Sequence, residues 1–90
     1  MKIFKYAIPV YSNTFNLALP EGSKILSCQN QNHQITIWVM FDPLVLIKKM
    51  YKFKIMTTGE DFKLNEKLGL YIGTVQIASF VWHLFLDEIV

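Results

Sequence analysis

Short runs in which apolar and polar residues alternate, separated by turn-forming residues, recur along the whole of this chain. The pattern is clear in KIFKYAI (2–8), TFNLAL (14–19), MYKFKIMT (50–57) and FVWHLFL (80–86). A period of two places successive side chains on opposite faces of an extended backbone, whereas a helix repeats every 3.6 residues. The run QITIWVMF (34–41) adds β-branched and aromatic residues, which suit a half-buried pleated surface. The sequence therefore predicts β-strands throughout.

Turn signals punctuate these runs at Pro20-Glu21-Gly22, Asn32-His33, Asp42-Pro43 and Ala78-Ser79. About seven short strands with such spacing predict an all-β fold, an antiparallel sandwich or a partly open barrel, formed by residues 1–90 as one domain. Two segments also fit a short helix, and we expect at most one helix, near 60–68. Residues 43–51 place apolar side chains at helical spacing, and residues 60–68 begin with acids and end before a glycine.

The phase of each alternating run predicts which side chains face the core. The predicted inward set is Phe4, Tyr6, Phe15, Leu17, Ile25, Ile35, Ile37, Val39, Phe53, Ile55, Ile72, Trp82 and Leu84.

Thirteen aromatic residues and a hydrophobic content of 52% are high for a chain of ninety residues. A domain this small buries only about 60–65% of the surface that its unfolded chain exposes. Apolar side chains left in water forgo the free energy of burial, so we expect part of the surface to be covered in a homo-oligomer.

The compartment expected is a reducing cytoplasm, because a single cysteine, Cys28, excludes an intrachain disulfide framework. The N-terminus has no long apolar segment typical of a signal peptide. The uncharged run 35–41 is far shorter than the roughly 20 residues that span a bilayer, so no membrane partner is expected.

The net charge of the chain limits the kinds of partner that it is expected to bind. Nine lysines and no arginine against seven acids give a net charge of +2. Duplex DNA readout favours clustered arginine with its bidentate guanidinium, so duplex nucleic acid is not an expected partner. Lysine does serve as a point charge for phosphate, which leaves a small anionic ligand possible.

No catalytic or metal-binding motif stands out, and the chain is not expected to be an enzyme or to need a cofactor. Cys28 lies in a predicted strand without a basic neighbour that would lower its pKa. His83 lies opposite in phase to Trp82 and Leu84, and its neighbours in sequence supply no orienting partner. His33 falls in a polar loop, and together these residues lack metal-ligand spacing.

Ligand binding is better supported. Thr57-Thr58-Gly59 follows a strand that carries Lys52 and Lys54, and Gly73-Thr74 interrupts a later strand. Hydroxyls, backbone N–H groups and lysine suit a phosphate or a base edge, and a glycine in a strand marks either a close ligand approach or a bulge. The alternative for Thr57–Gly59 is a plain turn. Trp38 either stacks on a base or belongs to the core.

Five blocks of the chain, in order, resemble a family of short phage and prophage proteins. They are LPEGSKILSCQNQ (19–31), WVMFDP (38–43), TTG (57–59), YIGTVQ (71–76) and VWHLFL (81–86). The family reads, in outline, LP-x-GAKILSVQ-x-Q, W-x-x-VDP, GTG, YIGT-x-Q and VFHVF, and the match covers nearly the whole chain.

The resemblance extends to the lineage of phage anti-CBASS sponges, which form oligomers and sequester cyclic-dinucleotide immune signals without cleaving them. It implies a non-enzymatic nucleotide-binding protein acting in the host bacterial cytoplasm, with Gln76 and His83 at matching positions. Two departures matter. Thr57 replaces the first glycine of GTG, which weakens the case for backbone contact there, and lysines at 49 and 52 stand where the family often has arginine.

Two functions of different classes are therefore expected. One is capture of a cyclic nucleotide or dinucleotide by Thr57, Thr58, Gly59, Lys52, Lys54, Gln76, Trp38 and His83. The other is a phage interaction protein that inhibits a host protein by covering part of its surface.

Overall fold

The described part of the chain folds as seven β-strands in two sheets. The structure, a computed structural model, describes residues 1–9, 13–63 and 67–90. The strands are β1 (Lys2–Ile8), β2 (Thr14–Pro20), β3 (Lys24–Gln31), β4 (Gln34–Phe41), β5 (Lys48–Thr57), β6 (Leu70–Ile77) and β7 (Phe80–Ile89). The three-stranded sheet has the order β1-β4-β3, and the four-stranded sheet has the order β2-β5-β7-β6. All neighbouring strands are antiparallel, so the predicted all-β antiparallel sandwich is confirmed.

The turns fall where the sequence predicts them. Glu21-Gly22, Asn32-His33 and Ala78-Ser79 each form a turn between two strands. Asn32 and His33 both have positive φ, 53° and 64°, as a two-residue hairpin of type I′ requires.

The helical alternatives are not seen among the described residues. A turn follows Asp42, and β5 begins at Lys48, so the alternative of a helical turn at 43–51 does not hold. In the other segment, residues 60–63 and 67–68 are not helical, and residues 64–66 lie outside the described residues. The described part of the chain holds no helix that is long and apolar enough to cross a membrane.

The core lies between the sheets and is built on their central strands. In β4, Ile35, Ile37 and Val39 are fully buried, and they face Phe53 and Leu84 of the four-stranded sheet. Alternation along these strands explains the arrangement, because every second residue faces the opposite sheet.

Most of the predicted inward set is confirmed. Ile35, Ile37, Val39, Phe53, Ile55 and Leu84 are buried, and Tyr6, Phe15, Leu17, Ile25, Ile72 and Trp82 pack against them. The prediction for Phe4 is wrong, since its side chain is 50% exposed. Phe4 lies on β1, an edge strand, and its ring meets the ring of Phe41 in an edge-to-face contact at 5.0 Å. Ile8, Leu19, Tyr51 and Val75 also belong to the core, although the inward set omits them.

The two sheets meet along β3 and β6. The side-chain amide of Asn30 donates to the carbonyl of Gln76 at 3.1 Å. A β-carbon on Gly73 would lie 3.2 Å from the Cβ of Cys28, so glycine lets the two strands come this close. The pairing of β6 with β7 also shifts between Tyr71 and Gly73, so the strand has the bulge that was one of the two alternatives for this glycine.

Candidate functional site

The outer face of the four-stranded sheet brings together residues that are distant in sequence. β5 pairs with β7 so that Met56 lies opposite His83, and β7 pairs with β6 so that His83 lies opposite Thr74. The neighbouring inward residues Ile55 and Leu84 are buried in the core. Met56, His83 and Thr74 therefore form one row across the outer face, as the period of two requires.

His83 is held from both sides by hydroxyl groups. Its Nε2 hydrogen-bonds to the Oγ1 of Thr58 at 2.7 Å, and its Nδ1 hydrogen-bonds to the Oγ1 of Thr74 at 3.1 Å. The phenolic oxygen of Tyr71 in turn hydrogen-bonds to Thr74. A hydroxyl both donates and accepts, so this chain of groups satisfies either tautomer of the ring. The imidazole is consequently fixed in orientation over the sheet.

Thr57, Thr58 and Gly59 lie in a tight turn at the end of β5. The N–H of Glu60 donates to the carbonyl of Thr57 at 3.1 Å, and Gly59 has a φ of 89°, as the third position of a type II turn requires. The plain-turn alternative is thus correct as a description of the backbone. The turn nevertheless exposes the side chain of Thr58, and no atom lies within 4 Å of where a β-carbon on Gly59 would be.

The backbone N–H groups of the two threonines, which suit a phosphate in the sequence, already have partners in the structure. The N–H of Thr57 donates to Oε1 of Glu60 at 3.1 Å, and the N–H of Thr58 donates to the carbonyl of Val81 at 3.0 Å. Oε1 of Glu60 also accepts from the hydroxyl of Thr57, and Oε2 accepts from the side-chain amide of Asn13. The carboxylate of Glu60 therefore takes up donors that a bound phosphate would otherwise use. What the turn offers a ligand is the Thr58 hydroxyl and the open side of Gly59.

A cavity of about 310 Å³ opens between the outer face of the sheet and the segment that follows the turn. This volume is at the lower end of the range for small-molecule sites. We call it the β5–β7 cavity; its lining is Met56, Thr57, Thr58, Gly59, Glu60, Phe62, Leu68, His83 and Phe85. Met56 is only 8% exposed although it lies on an outer face, and Phe62 and Leu68 line the same cavity. Apolar and aromatic side chains with a few polar groups at the rim suit a flat ring with a hydrogen-bonding edge.

Two of the predicted lysines lie beside this cavity on β5. Lys54 is paired across the sheet with Phe85, a lining residue, and its ammonium group donates to the carbonyl of Lys67 at 2.6 Å. Lys52 lies one step further along the outer face, where its ammonium group is 3.7 Å from the carboxylate of Glu88. That ion pair is exposed and contributes little stability. Lys54 is consequently the nearer source of positive charge for a bound ligand.

Gln76 and Trp38 lie apart from the cavity. Gln76 is on the same outer face, opposite Val81, one step beyond Thr74 toward the hairpin end. Trp38 is on β4 of the other sheet, and its neighbours Ile37 and Val39 face the core. Trp38 therefore faces the opposite side of the sandwich, and a small ligand in the β5–β7 cavity does not reach it.

The remaining chemical candidates do not form a site in the described chain. Partial burial raises the pKa of the Cys28 thiol from 9.0 to about 11, which keeps the thiol protonated and unreactive near neutral pH. His33 is exposed at its hairpin tip. Among residues 1–9, 13–63 and 67–90, no group of three or more His, Cys, Asp or Glu could hold a metal ion.

Several lining residues were not identified from the sequence. The neighbours of His83 in sequence supply no orienting partner, as expected; its partners Thr58 and Thr74 lie 25 and 9 residues away along the chain and were not identified. The partner Thr74 could have been found, because a two-residue turn at Ala78-Ser79 pairs residue 77 with residue 80 and residue 74 with residue 83. Phe62 and Leu68 carried no signal, since they lie outside the alternating strand patterns and line the cavity only in the folded chain.

Comparison with known proteins gives a family without an assigned activity. No curated protein matches the chain, and no solved structure does. A family model described as a domain of unknown function, DUF7352, matches residues 1–89, nearly the full length. The chain therefore belongs to the DUF7352 family.

Proposed function

We propose that this protein sequesters a cyclic nucleotide or dinucleotide signal, with one base in the β5–β7 cavity, and releases it unchanged. The observation that carries the proposal is the fixed His83 ring, anchored by Thr58 and Thr74 above an apolar cavity open to solvent. Both ring nitrogens already engage hydroxyls of the chain. A general base must reach the proton that it abstracts, so this arrangement favours binding over catalysis.

The cavity lining suits a nucleobase. Phe62 and Phe85 offer aromatic surfaces, and Met56 offers a polarisable sulfur beneath them. The hydroxyl of Thr58 lines the cavity, where the edge of a base needs donors and acceptors, whereas the hydroxyl of Thr57 donates to Glu60. The open side of Gly59 lets a ligand approach without meeting a side chain.

Charge orients the rest of the ligand. The carboxylate of Glu60 repels phosphate, whereas the ammonium group of Lys54 attracts it. We therefore expect the phosphates to lie on the Lys54 side of the cavity, with Lys52 as a second, more distant cation. Lysine acts here as a point charge, without the bidentate geometry of arginine.

The size of the cavity favours a ligand site that two copies of the chain share. A volume of about 310 Å³ accommodates one base with part of its sugar rather than a complete cyclic dinucleotide. The second base would then need another surface. In a two-fold dimer the same cavity of a second copy supplies that surface, and the ligand's own two halves match the two-fold axis. The proposal thus joins ligand capture with the expected homo-oligomer.

The biological role follows the resemblance to phage anti-CBASS sponges. A phage protein that binds an immune signal in the host cytoplasm without destroying it lowers the free concentration of the signal. Such a protein must be abundant and must bind tightly, but it needs no catalytic group.

A second candidate, a phage protein that inhibits a host protein by covering part of its surface, is favoured by a different observation. A groove of about 390 Å³ lies between the start of β1 and the loop after β4, and Phe4, Phe41, Val45 and Leu46 line it. Leu44 and Leu46 of this loop are 85% and 88% exposed. Exposed apolar surface of this kind marks interaction sites.

Thermal melting with a panel of cyclic mononucleotides and dinucleotides separates the two functions. A ligand present at about a hundred times its dissociation constant stabilises the protein by about 2.7 kcal/mol and raises its melting temperature. We expect at least one member of the panel to do so. Melting curves that stay unchanged for every ligand would leave only the interaction function.

Substitution of Thr58 tests the location of the site. Thr58→Ala removes the hydroxyl that holds His83 and contacts the ligand, and we expect about tenfold weaker binding in calorimetric titration. Thr58→Ser keeps the hydroxyl and is expected to bind like the parent protein. Because Thr58 is exposed, neither variant should change the melting temperature of the free protein appreciably. Equal affinities for all three proteins would place the ligand elsewhere.

A further inference from the structure

Trp38 lies on a surface that the proposed nucleotide site does not use. It occupies the middle of β4, the central strand of the three-stranded sheet, and it is half-buried on the outer face. The other tryptophan, Trp82, packs against the core. A large aromatic ring at the centre of a solvent-facing sheet forgoes burial, which is a reason to look for a partner that covers it.

The residues around Trp38 are suited to polar contacts with a flat ligand. Its direct cross-strand neighbours are Lys5 on β1 and Ser27 on β3. The next row holds the buried Thr36 and the exposed Gln29, whose amide donates to the hydroxyl of Ser27 at 3.2 Å. Cross-strand neighbours lie about 5 Å apart, so the hydroxyl of Ser27 and the amide of Gln29 lie close enough to the ring to reach the edge of a base stacked on it.

The three-stranded sheet is more positively charged than the rest of the chain. Strands β1, β3 and β4 carry three lysines and neither Asp nor Glu, although the net charge of the chain is only +2. Lys5 and Lys24 lie in phase with Trp38 on the outer face, and both are exposed. The nearest acid after β4, Asp42, accepts from the N–H of Leu44 within its own turn. The face therefore has the sign of charge that a phosphate backbone attracts.

From these observations we infer that the outer face of the three-stranded sheet is a second binding site, a stacking platform for single-stranded nucleic acid. One base stacks on Trp38, and Lys5 and Lys24 attract phosphates on either side of it. Single strands suit such a flat face because their bases are free to splay onto an aromatic ring, whereas the bases of a duplex are not. This site is separate from the β5–β7 cavity, since the two outer faces point in opposite directions.

A fluorescence-anisotropy titration of a labelled oligo(dT) of about twelve nucleotides tests the inference. The full-length protein should bind this strand at low salt and more weakly at roughly 0.15 M salt. Trp38→Ala should weaken binding at least about fivefold, which corresponds to the loss of one stacked base. Trp38→Phe retains an aromatic face and should bind within about threefold of the parent. This variant also guards against a loss of folding in Trp38→Ala.

A matched pair of charge variants checks the location. Lys5→Gln with Lys24→Gln should weaken binding and reduce the slope of log affinity against log salt by about 1.4, the value for two phosphate contacts on a single strand. Lys48→Gln with Lys67→Gln makes the same change in net charge off this sheet and should leave both quantities unchanged. The inference is overturned if the parent does not bind at low salt, if Trp38→Ala binds like the parent, or if both double variants lose affinity equally.

Discussion

Three glycines with positive φ differ in what a side chain would meet there. Gly22, Gly59 and Gly69 have φ values of 82°, 89° and 82°, a region that costs other residues about 1–2 kcal/mol. A β-carbon on Gly22 or Gly59 would meet nothing within 4 Å, whereas one on Gly69 would overlap the backbone of Leu86 and Asp87. Gly69 therefore allows the chain to pass close to β7 as it enters β6.

This contrast gives a matched pair of substitutions. Gly22→Ala should lower the free energy of unfolding by about 1 kcal/mol, the cost of the backbone conformation alone. Gly69→Ala has the same φ but adds a clash with backbone atoms, and we expect a loss of at least about 3 kcal/mol. Urea unfolding measures both values. Equal losses for the two variants would contradict the close approach at Gly69.

His83 illustrates what could and could not be derived from single residues. Its position on the exposed side of β7 follows from alternation with Trp82 and Leu84, and the structure confirms it. The role of Thr58 depends on the pairing of β5 with β7, which strand patterns alone do not specify. Hydrogen-bond partners across a sheet are a property of register, so they follow only once the order of strands is known.

The strands themselves follow closely from the sequence, but their position in each sheet does not. The inward phase of Phe4 matches that of Phe41 and Val39, yet Phe4 is half exposed because β1 forms an edge with one neighbour. In contrast, Met56 lies on an outer face and is nevertheless buried, in a cavity that Phe62 and Leu68 also line. Edge position and loop coverage are tertiary features, and alternation carries no information about either.

The β3–β4 hairpin offers a test of turn energetics. His33 has a φ of 64° at the second position of the two-residue turn, where glycine is favoured. His33→Gly should therefore raise the free energy of unfolding by about 0.5–1 kcal/mol through relief of this conformation. His33→Ala keeps the unfavourable φ and serves as the control, with little change expected. A lower free energy of unfolding for His33→Gly than for His33→Ala would contradict this prediction.

Exposed apolar surface on the assembled sandwich bears on its oligomeric state. Leu44, Leu46 and Ile47 lie in one loop and are all more than 60% exposed, and Phe4 lines the same groove as Leu46. Val90, at the C-terminus, is 55% exposed. Its backbone exchanges two hydrogen bonds with that of Met50. A surface of this kind favours self-association, because burying it gains about 25 cal/mol for each Å².

We predict a homo-oligomer at micromolar concentration. Light scattering coupled to size exclusion should give a mass that is a multiple of 10.5 kDa. Leu46→Glu places a charge in the exposed groove and should shift the protein toward the monomer, while Ile3→Glu on the other face of β1 is the control. A lone 10.5 kDa species for the parent protein would contradict this prediction and the shared ligand site together.

Binding without turnover is tested most directly by equilibrium dialysis against a cyclic dinucleotide identified by the melting panel, followed by heat release and chromatography of the bound fraction. The fixed histidine and the apolar β5–β7 cavity predict saturable uptake, with all of the ligand recovered intact. In the shared site, saturation should come at about one ligand for two chains. Recovery of a linear or hydrolysed product would contradict sequestration, and equal ligand concentrations on both sides of the membrane would contradict binding itself.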